Sequence, residues 1–557
     1  MSGADAMDPL ETALRRFAQR PDVEPIQAAQ LRNALSSNDA LRADYQALAA
    51  QGRVREFVPA PAGADLPNGR YDRAAAQVTV PADQLQGGDG SVSAALTGTL
   101  RIQQMLASYA HTHWTDSAHR EMPVSQDMVD NLQAALNGSP ALTEQLRQAL
   151  VAPAPMQPAP VRGFESLPGT INAGGTYNPD TGTLALPPAT LHRPPAAFQQ
   201  DAGARTDLTF VMGHEVQHGL NAAAKHAERT RFIDAITQIA RSGGPAYDYT
   251  APLARYQQAA RTDEAKAQIA GWNATLSELQ QSSPGANLPE MFELADRTTD
   301  KGTQRIKDFV ARDELTRQVV PGPSLAFEHD GSLRMTEANI AAVARQYFDK
   351  SPEQTRIGHH GDSDYPNYYG ADAVTVVIYT HRQLARQADG STPPIQLDMD
   401  QLRLREVLLE RNGLAFPPGS TPLPTGADTD VRQAYLDIGQ DPPVAGHFDF
   451  TRTPEGTPHR HQHRPIPAPE QAGAASGVSQ PETLSGQLDR MLVALEAGDA
   501  RTFHQMTDAL AQRPAVQAMQ ADAAHALAQR VQAAEDEMQR FNAPPVHTPP
   551  APVMEMR

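Results

Sequence analysis

Cysteine is absent from all 557 residues, which removes disulfides, thiolate metal sites and a cysteine nucleophile together. Any metal must then be held by histidines and carboxylates. Aromatic residues are scarce at 5%; with abundant Ala, Gln and Pro this composition predicts a mainly helical chain with loose connections. No apolar run is long enough to span a bilayer. Positive charge is in deficit: 47 Lys and Arg face 65 Asp and Glu, a net charge of -18. That balance argues against nucleic acid and against an anionic membrane surface as partners. The first ten residues are acidic and lack an apolar core, so they form no secretory signal. Synthesis in a cytoplasm is expected, with any export left to a signal-peptide-independent machine. At 60.0 kDa the chain exceeds one core, and three or four domains are expected.

The strongest motif present is His214-Glu215-Val216-Gln217-His218, an HExxH sequence. Leu208, Val211, Met212, Val216 and Leu220 recur around it at helical spacing, and Thr206 or Asp207 can cap the helix start. Residues i and i+4 share one helix face, so both imidazoles can reach one Zn²⁺ with Glu215 beside it as general base. The bland alternative is a surface helix with two solvated histidines. The apolar Phe210, Val211 and Met212 favour a buried helix instead, and Gly213 suits the close approach of another segment.

These residues resemble the zincin metallopeptidases. The resemblance makes His214 and His218 zinc ligands and Glu215 the base, and it requires a third ligand. The metzincin pattern fails, because Asn221 and Ala224 stand where Gly and His are needed and His226 is out of register. The run Gly302 to Asp308 starts like the aspartate-liganded zincins but places its aspartate too late. A gluzincin arrangement takes a Glu from a later helix, and Glu264 fits. Asp263 is its direct competitor, and an acid in the first turn of a helix starting near Arg261 is the alternative reading. Two histidines and a carboxylate leave a fourth position open, as catalytic zinc needs. Long helices are expected at 207–242 and 251–282.

A second pattern repeats 106 residues apart. Gly69-Arg70-Tyr71-Asp72 followed by Val78-Thr79-Val80-Pro81 matches Gly175-Thr176-Tyr177-Asn178 followed by Leu184-Ala185-Leu186-Pro187. Each copy reads as a β-hairpin, the second turning at Asn178 to Gly182. A duplication and a recurrent hairpin solution both remain open. The second copy falls where zincins place the strand bordering their cleft. The first precedes a helix from Leu100 to Trp114, and His111, His113 and His119 lack ligand spacing and read as structural or solvated. Further on, Arg356 to Gly370 reads as a Gly- and Tyr-rich loop against the apolar run 373–378. Zincins place a His or Tyr opposite the metal to stabilise the oxyanion, so His359, His360, Tyr365, Tyr368 and Tyr369 are candidates, with a tyrosine-anchored structural loop as the alternative.

The expected fold class is α+β, mainly helical: a zincin-like catalytic domain (small sheet plus active-site helix) with flanking helical modules. The organisation reads as an N-terminal helical segment at 1–60, a hairpin-plus-helix region at 61–150 and a metallopeptidase core at 161–315. An α/β region at 316–450 completes the site. A flexible linker at 451–482, carrying His459, His461 and His463, and a helical recognition module with a Pro-rich tail at 483–557 follow. The hairpin and the Tyr-Pro-Asn-Tyr-Tyr-Gly-Ala run resemble peptidase effectors exported by bacterial type IV or type VI systems. That resemblance implies a secreted toxin with a protein, peptide or peptidoglycan substrate and a secretion-machinery or immunity-protein partner. The expected activity is zinc-dependent hydrolysis of peptide bonds. A peptidoglycan amidase or endopeptidase, and a non-enzymatic interaction protein with a structural or absent metal site, are the alternatives.

Overall fold

Helix starts in this chain are set locally. Helix α1 (Pro9–Ala18) follows Asp8, whose carboxylate accepts from Leu10 N at 2.9 Å, with Pro9 placed where no N–H is needed. Helix α2 (Pro25–Ser36) opens on a reciprocal Glu24–Gln27 box, and α3 (Asp39–Ala50) on Asn38. The computed structural model describes residues 8–86, 94–151, 158–169, 174–243, 246–297, 305–358, 361–385, 393–411, 414 and 432–449. The expected linker at 451–482 and C-terminal module at 483–557 lie outside the described residues. The described residues form an α+β, mainly helical structure, and none of their helices is long and apolar enough to cross a membrane.

The two sequence repeats prove to be parts of one construction used twice. In the first, β1 (Glu56–Pro59) runs parallel to β3 (Gln77–Val80), and β2 (Arg70–Asp72) pairs antiparallel on the other side of β3. In the second, β6 (Gly163–Ser166), β8 (Thr183–Leu186) and β7 (Thr176–Asn178) have the same order and directions. The register repeats as well. Phe57 and Tyr71 flank Val78 as Phe164 and Tyr177 flank Leu184. The Tyr71 hydroxyl donates to Arg53 O at 2.7 Å, and that of Tyr177 to Pro160 O at 2.8 Å. Ala76 and Gly182, both at positive φ, accept from Arg55 N and Arg162 N at 2.7 Å.

Between the units lie α4 (Ala94–Tyr109), the ribbon β4 (His113–Thr115) with β5 (Glu121–Pro123), α5 (Gln126–Gly138) and α6 (Pro140–Ala149). Helix α4 therefore stops before Trp114, which the sequence placed in it. The Thr112 hydroxyl binds Tyr109 O at 2.8 Å there, and the β-favouring His-Trp-Thr run pairs as a strand. His111 lies 3.2 Å from the Tyr71 hydroxyl, while His113 and His119 are exposed. One core gathers these elements, from Leu10 and Phe17 through Tyr71, Leu132 and Leu184 to Met212, Val216 and Ala274.

After α7 (Pro188–Leu191) and α8 (Pro195–Gln200) come the two long helices, α9 (Ala202–Arg241) and α10 (Thr250–Ser282). Asp201, and not Thr206 or Asp207, caps α9 by accepting from Ala204 N at 3.0 Å. The Ala-Gly-Ala-Arg stretch behind it continues the helix backwards past the expected start. The two helices cross at glycine. A Cβ on Gly213 would stand 2.8 Å from Ala274 Cβ and 3.0 Å from Ala270 O, and one on Gly271 would stand 2.7 Å from the Phe210 ring.

Helix α11 (Leu288–Arg297), the 3₁₀ turn Arg305–Asp308 and the ribbon β9 (Val310–Arg312) with β10 (Val319–Pro321) follow. They pack with α12 (Glu337–Gln346) around Trp272 and Phe309. After α13 (Pro352–Thr355), α14 (Tyr365–Leu384) takes the place of the expected loop at 365–370 and is continuous with the apolar run behind it. Asp364 caps it and Pro366 occupies its first turn, so the Gly-rich loop ends where the tyrosines begin. Strand β11 (Ile395–Leu397), α15 (Met399–Leu402), α16 (Glu406–Arg411), β12 (Arg432–Asp437) and β13 (Val444–Asp449) close a further core with Val374, Ile378 and Tyr249.

Replacing Gly213 by Val is expected to destabilise the protein by about 1–3 kcal/mol through overpacking. The same change at exposed Ala223 on the same helix should cost under about 1 kcal/mol. Urea unfolding of both variants checks this, and equal midpoints would deny the glycine its packing role.

Candidate metal centre

His214 and His218 stand one helical turn apart on α9, and both are buried with Glu264 of α10. Their Nε2 atoms lie 3.0 Å apart. Glu264 Oε2 lies 3.6 Å from His214 Nε2, and Oε1 3.8 Å from His218 Nε2. The three ligand atoms fall within 4.8 Å of one another. Donors bound at about 2.0–2.2 Å around a tetrahedral ion stand about 3.3 Å apart, so this spacing fits a shared cation.

The hydrogen bonding fits it too. His218 Nδ1 donates to Asp263 Oδ2 at 2.9 Å, so in the neutral ring Nε2 carries the lone pair facing His214. Glu264 Oε1 accepts from the Tyr369 hydroxyl at 2.6 Å, whereas buried Oε2 has no hydrogen-bond partner among the described residues. A buried carboxylate oxygen of this kind calls for a partner, and a cation between the two imidazoles supplies one. His214, His218 and Glu264 can therefore hold a metal ion.

Asp263 plays a different part from its neighbour. It accepts from His218, from Asn221 Nδ2 at 2.8 Å and from Lys225 Nζ at 2.7 Å, and so orients a ligand from behind. Helix α10 begins at Thr250, about four turns before Glu264. The field at a helix start, the alternative explanation for an acid here, does not reach it.

Burial works against the charge of Asp263, but the His218 and Lys225 bonds hold its carboxyl well below the usual range. Burial would lower His218 as well; its bond to Asp263 and the Glu264 charge outweigh that and push it up to about 9. Burial, aided by the His218 charge, holds His214 well below its ordinary value. Burial pushes Glu215 up to about 7.

Glu215 is buried, yet its carboxylate has no hydrogen bond or ion pair among the described residues. The chain leading into β7 passes directly over it: a Cβ on Gly175 would stand 3.2 Å from Glu215 Cγ. The second hairpin is thus brought to the centre. Of the tyrosines, Tyr369 holds Glu264, and the Tyr365 hydroxyl bonds that of Tyr347. Tyr368, 49% exposed, looks outward. His359 and His360 lie outside the described residues. Beside the centre, a cavity of about 370 Å³ opens between α9 and α10, lined by Asn221, Lys225, Arg255, Asp263 and Lys266. None of the three ligands lines it, but Asp263 on its wall bonds His218.

Two residues near the centre escaped sequence reasoning. Tyr347 ends α12, where a hydrophobic C-cap gives no chemical signal. Arg305 opens the 3₁₀ turn, inside the run dismissed for its misplaced aspartate. No family model, curated protein or solved structure matches the chain.

Protein exposed to divalent ions is expected to retain one ion per chain, and His218→Ala and Glu264→Ala to lose it. Asp263→Asn should keep the site but weaken it by about 10–100-fold. Elemental analysis with chelator competition measures both. Full occupancy in Glu264→Ala would remove that residue from the ligand set.

Proposed function

We propose that this protein is a zinc-dependent metallopeptidase of gluzincin type, with His214, His218 and Glu264 as ligands and Glu215 as general base. One observation carries the reading: a buried Glu215 carboxylate, without a hydrogen bond or ion pair among the described residues, lies beside a His-His-Glu cluster, one residue along the same helix. Three protein ligands leave a coordination position open, the mark of catalytic rather than structural sites. Two imidazoles and one carboxylate, in a chain without thiols, suit zinc.

Zinc held there would supply Lewis acidity to the attacking water and to the scissile carbonyl. Glu215 takes a proton from that water as its oxygen bonds to the carbonyl carbon. It then delivers the proton to the amide nitrogen as the C–N bond breaks, releasing an acid and an amine. Tyr365 lies one turn before the Glu264-bound Tyr369 on α14, its ring centroid 6.3 Å from that of Tyr369, and its phenol is assigned as the donor to the developing oxyanion. Strand β7 lies at the edge of its sheet, where an extended peptide can add by main-chain hydrogen bonds.

With zinc-loaded protein, casein and purified peptidoglycan sacculi as substrates, Glu215→Gln is expected to lower hydrolysis by about 10²–10⁴-fold while zinc content stays constant. The substrate cut by wild type separates protein from cell-wall hydrolysis. Equal behaviour of wild type and Glu215→Gln on both would make the metal structural. Tyr365→Phe should lower kcat by about 10²-fold with little change in KM, and an unchanged kcat would remove it from the oxyanion site.

A further inference from the structure

Arg305 is the charged group of the cleft that the proposed chemistry leaves unused. Its guanidinium carbon lies 5.7 Å from the centroid of the Phe210 ring. One terminal nitrogen lies 3.0 Å from the point where a Cβ on Gly174 would stand, and that point is also 3.0 Å from Val211 Cγ2. The corresponding point on Gly175 is 2.4 Å from Val211 Cγ1 and 3.2 Å from Glu215 Cγ. Along the strand entry above α9, the guanidinium thus stands level with Phe210 and Val211, and Glu215 stands next to it. Four residues of helix are about 6 Å, the reach of about two residues of extended peptide.

The guanidinium carries five N–H donors in a planar fork. Among the described residues none of them meets an acceptor, in hydrogen bond or in ion pair. Burial opposes its charge, but Tyr347, Asp207, Tyr365 and Glu215 surround it and keep it cationic. An unfilled fork on a half-buried cation is free to take up an arriving anion. A planar fork fits a carboxylate through two parallel bonds. As a mere counter-ion for Glu215, it would be bonded to that carboxylate.

We infer that Arg305 is a specificity-determining residue that binds a carboxylate of the substrate one or two residues from the bond to be cut. The inference rests on the peptidase reading. The carboxylate is either the chain's own C-terminus, which would confine cleavage to the last residues, or an acidic side chain.

The test uses the zinc-loaded Glu215→Gln protein and four synthetic peptide pools. One carries free C-termini with Asp and Glu; the second has amidated C-termini; the third has Asn and Gln in place of Asp and Glu; the fourth has both changes. Equilibrium filtration followed by mass spectrometry reads the bound fraction. The first pool is expected to bind about tenfold or more tightly than the fourth, and whichever single change abolishes binding names the source. Adding Arg305→Lys or Arg305→Met should erase the preference while zinc content and thermal midpoint stay constant. Equal retention of all pools, retention of none, or a preference that survives Arg305→Met overturns the inference. Failure of the peptidase reading looks different: carboxylate binding then persists, and wild type cuts none of the pools. Cutting of all four pools alike by wild type removes the carboxylate site and leaves the peptidase reading intact.

Discussion

The centre depends on how closely α10 can lie against α9. Two histidines four residues apart converge by helix geometry alone, but their carboxylate partner must come from another segment. The missing Cβ of Gly213 admits Ala270 and Ala274, and that of Gly271 admits the Phe210 ring. With the backbones that close, Glu264 reaches within 3.6 Å of His214 Nε2. A displacement of α10 by the width of one methyl group would exceed the tolerance of a metal–ligand bond.

The first half of the chain fixes this crossing from behind. Ser139 donates to Ala274 O at 2.8 Å, and Gln145 Nε2 to Gly213 O at 2.9 Å, so both sides of the glycine contact are tied to the α5–α6 corner. The repeated three-stranded unit serves two ends. In its first use it packs into the core beside α4; in its second it lays Gly175 over Glu215. The same hydroxyl-to-carbonyl bond, from Tyr71 or Tyr177, closes each unit.

How much of this was legible follows from where each interaction is encoded. His214, Glu215 and His218 could be read because one helix face presents them, and Gly213 because only close packing explains a glycine at that position. The second hairpin was visible through its turn residues and the first through its match to the second. Their third strands, β1 and β6, were not: each is four residues long and buries a single phenylalanine, too little for a periodic signal. The start of α14 was misread although Asp364 and Pro366 form a recognisable cap and first turn; the neighbouring glycines pulled the reading toward a loop. Tyr347 and Arg305 reach the centre only through tertiary packing, and nothing in their local sequence announces it.

Asp263 and Glu264 are adjacent in the chain, and neighbours on a helix point about 100° apart. One grips His218 through its outer nitrogen, and the other stands opposite the inner nitrogens. Helix α10 is therefore indexed in rotation as well as in distance. A turn about its own axis in either direction would release one contact before the other could take its place. Lys225 and Asn221 hold the same carboxylate from α9, so the angular setting of α10 is latched by the very helix whose histidines it completes.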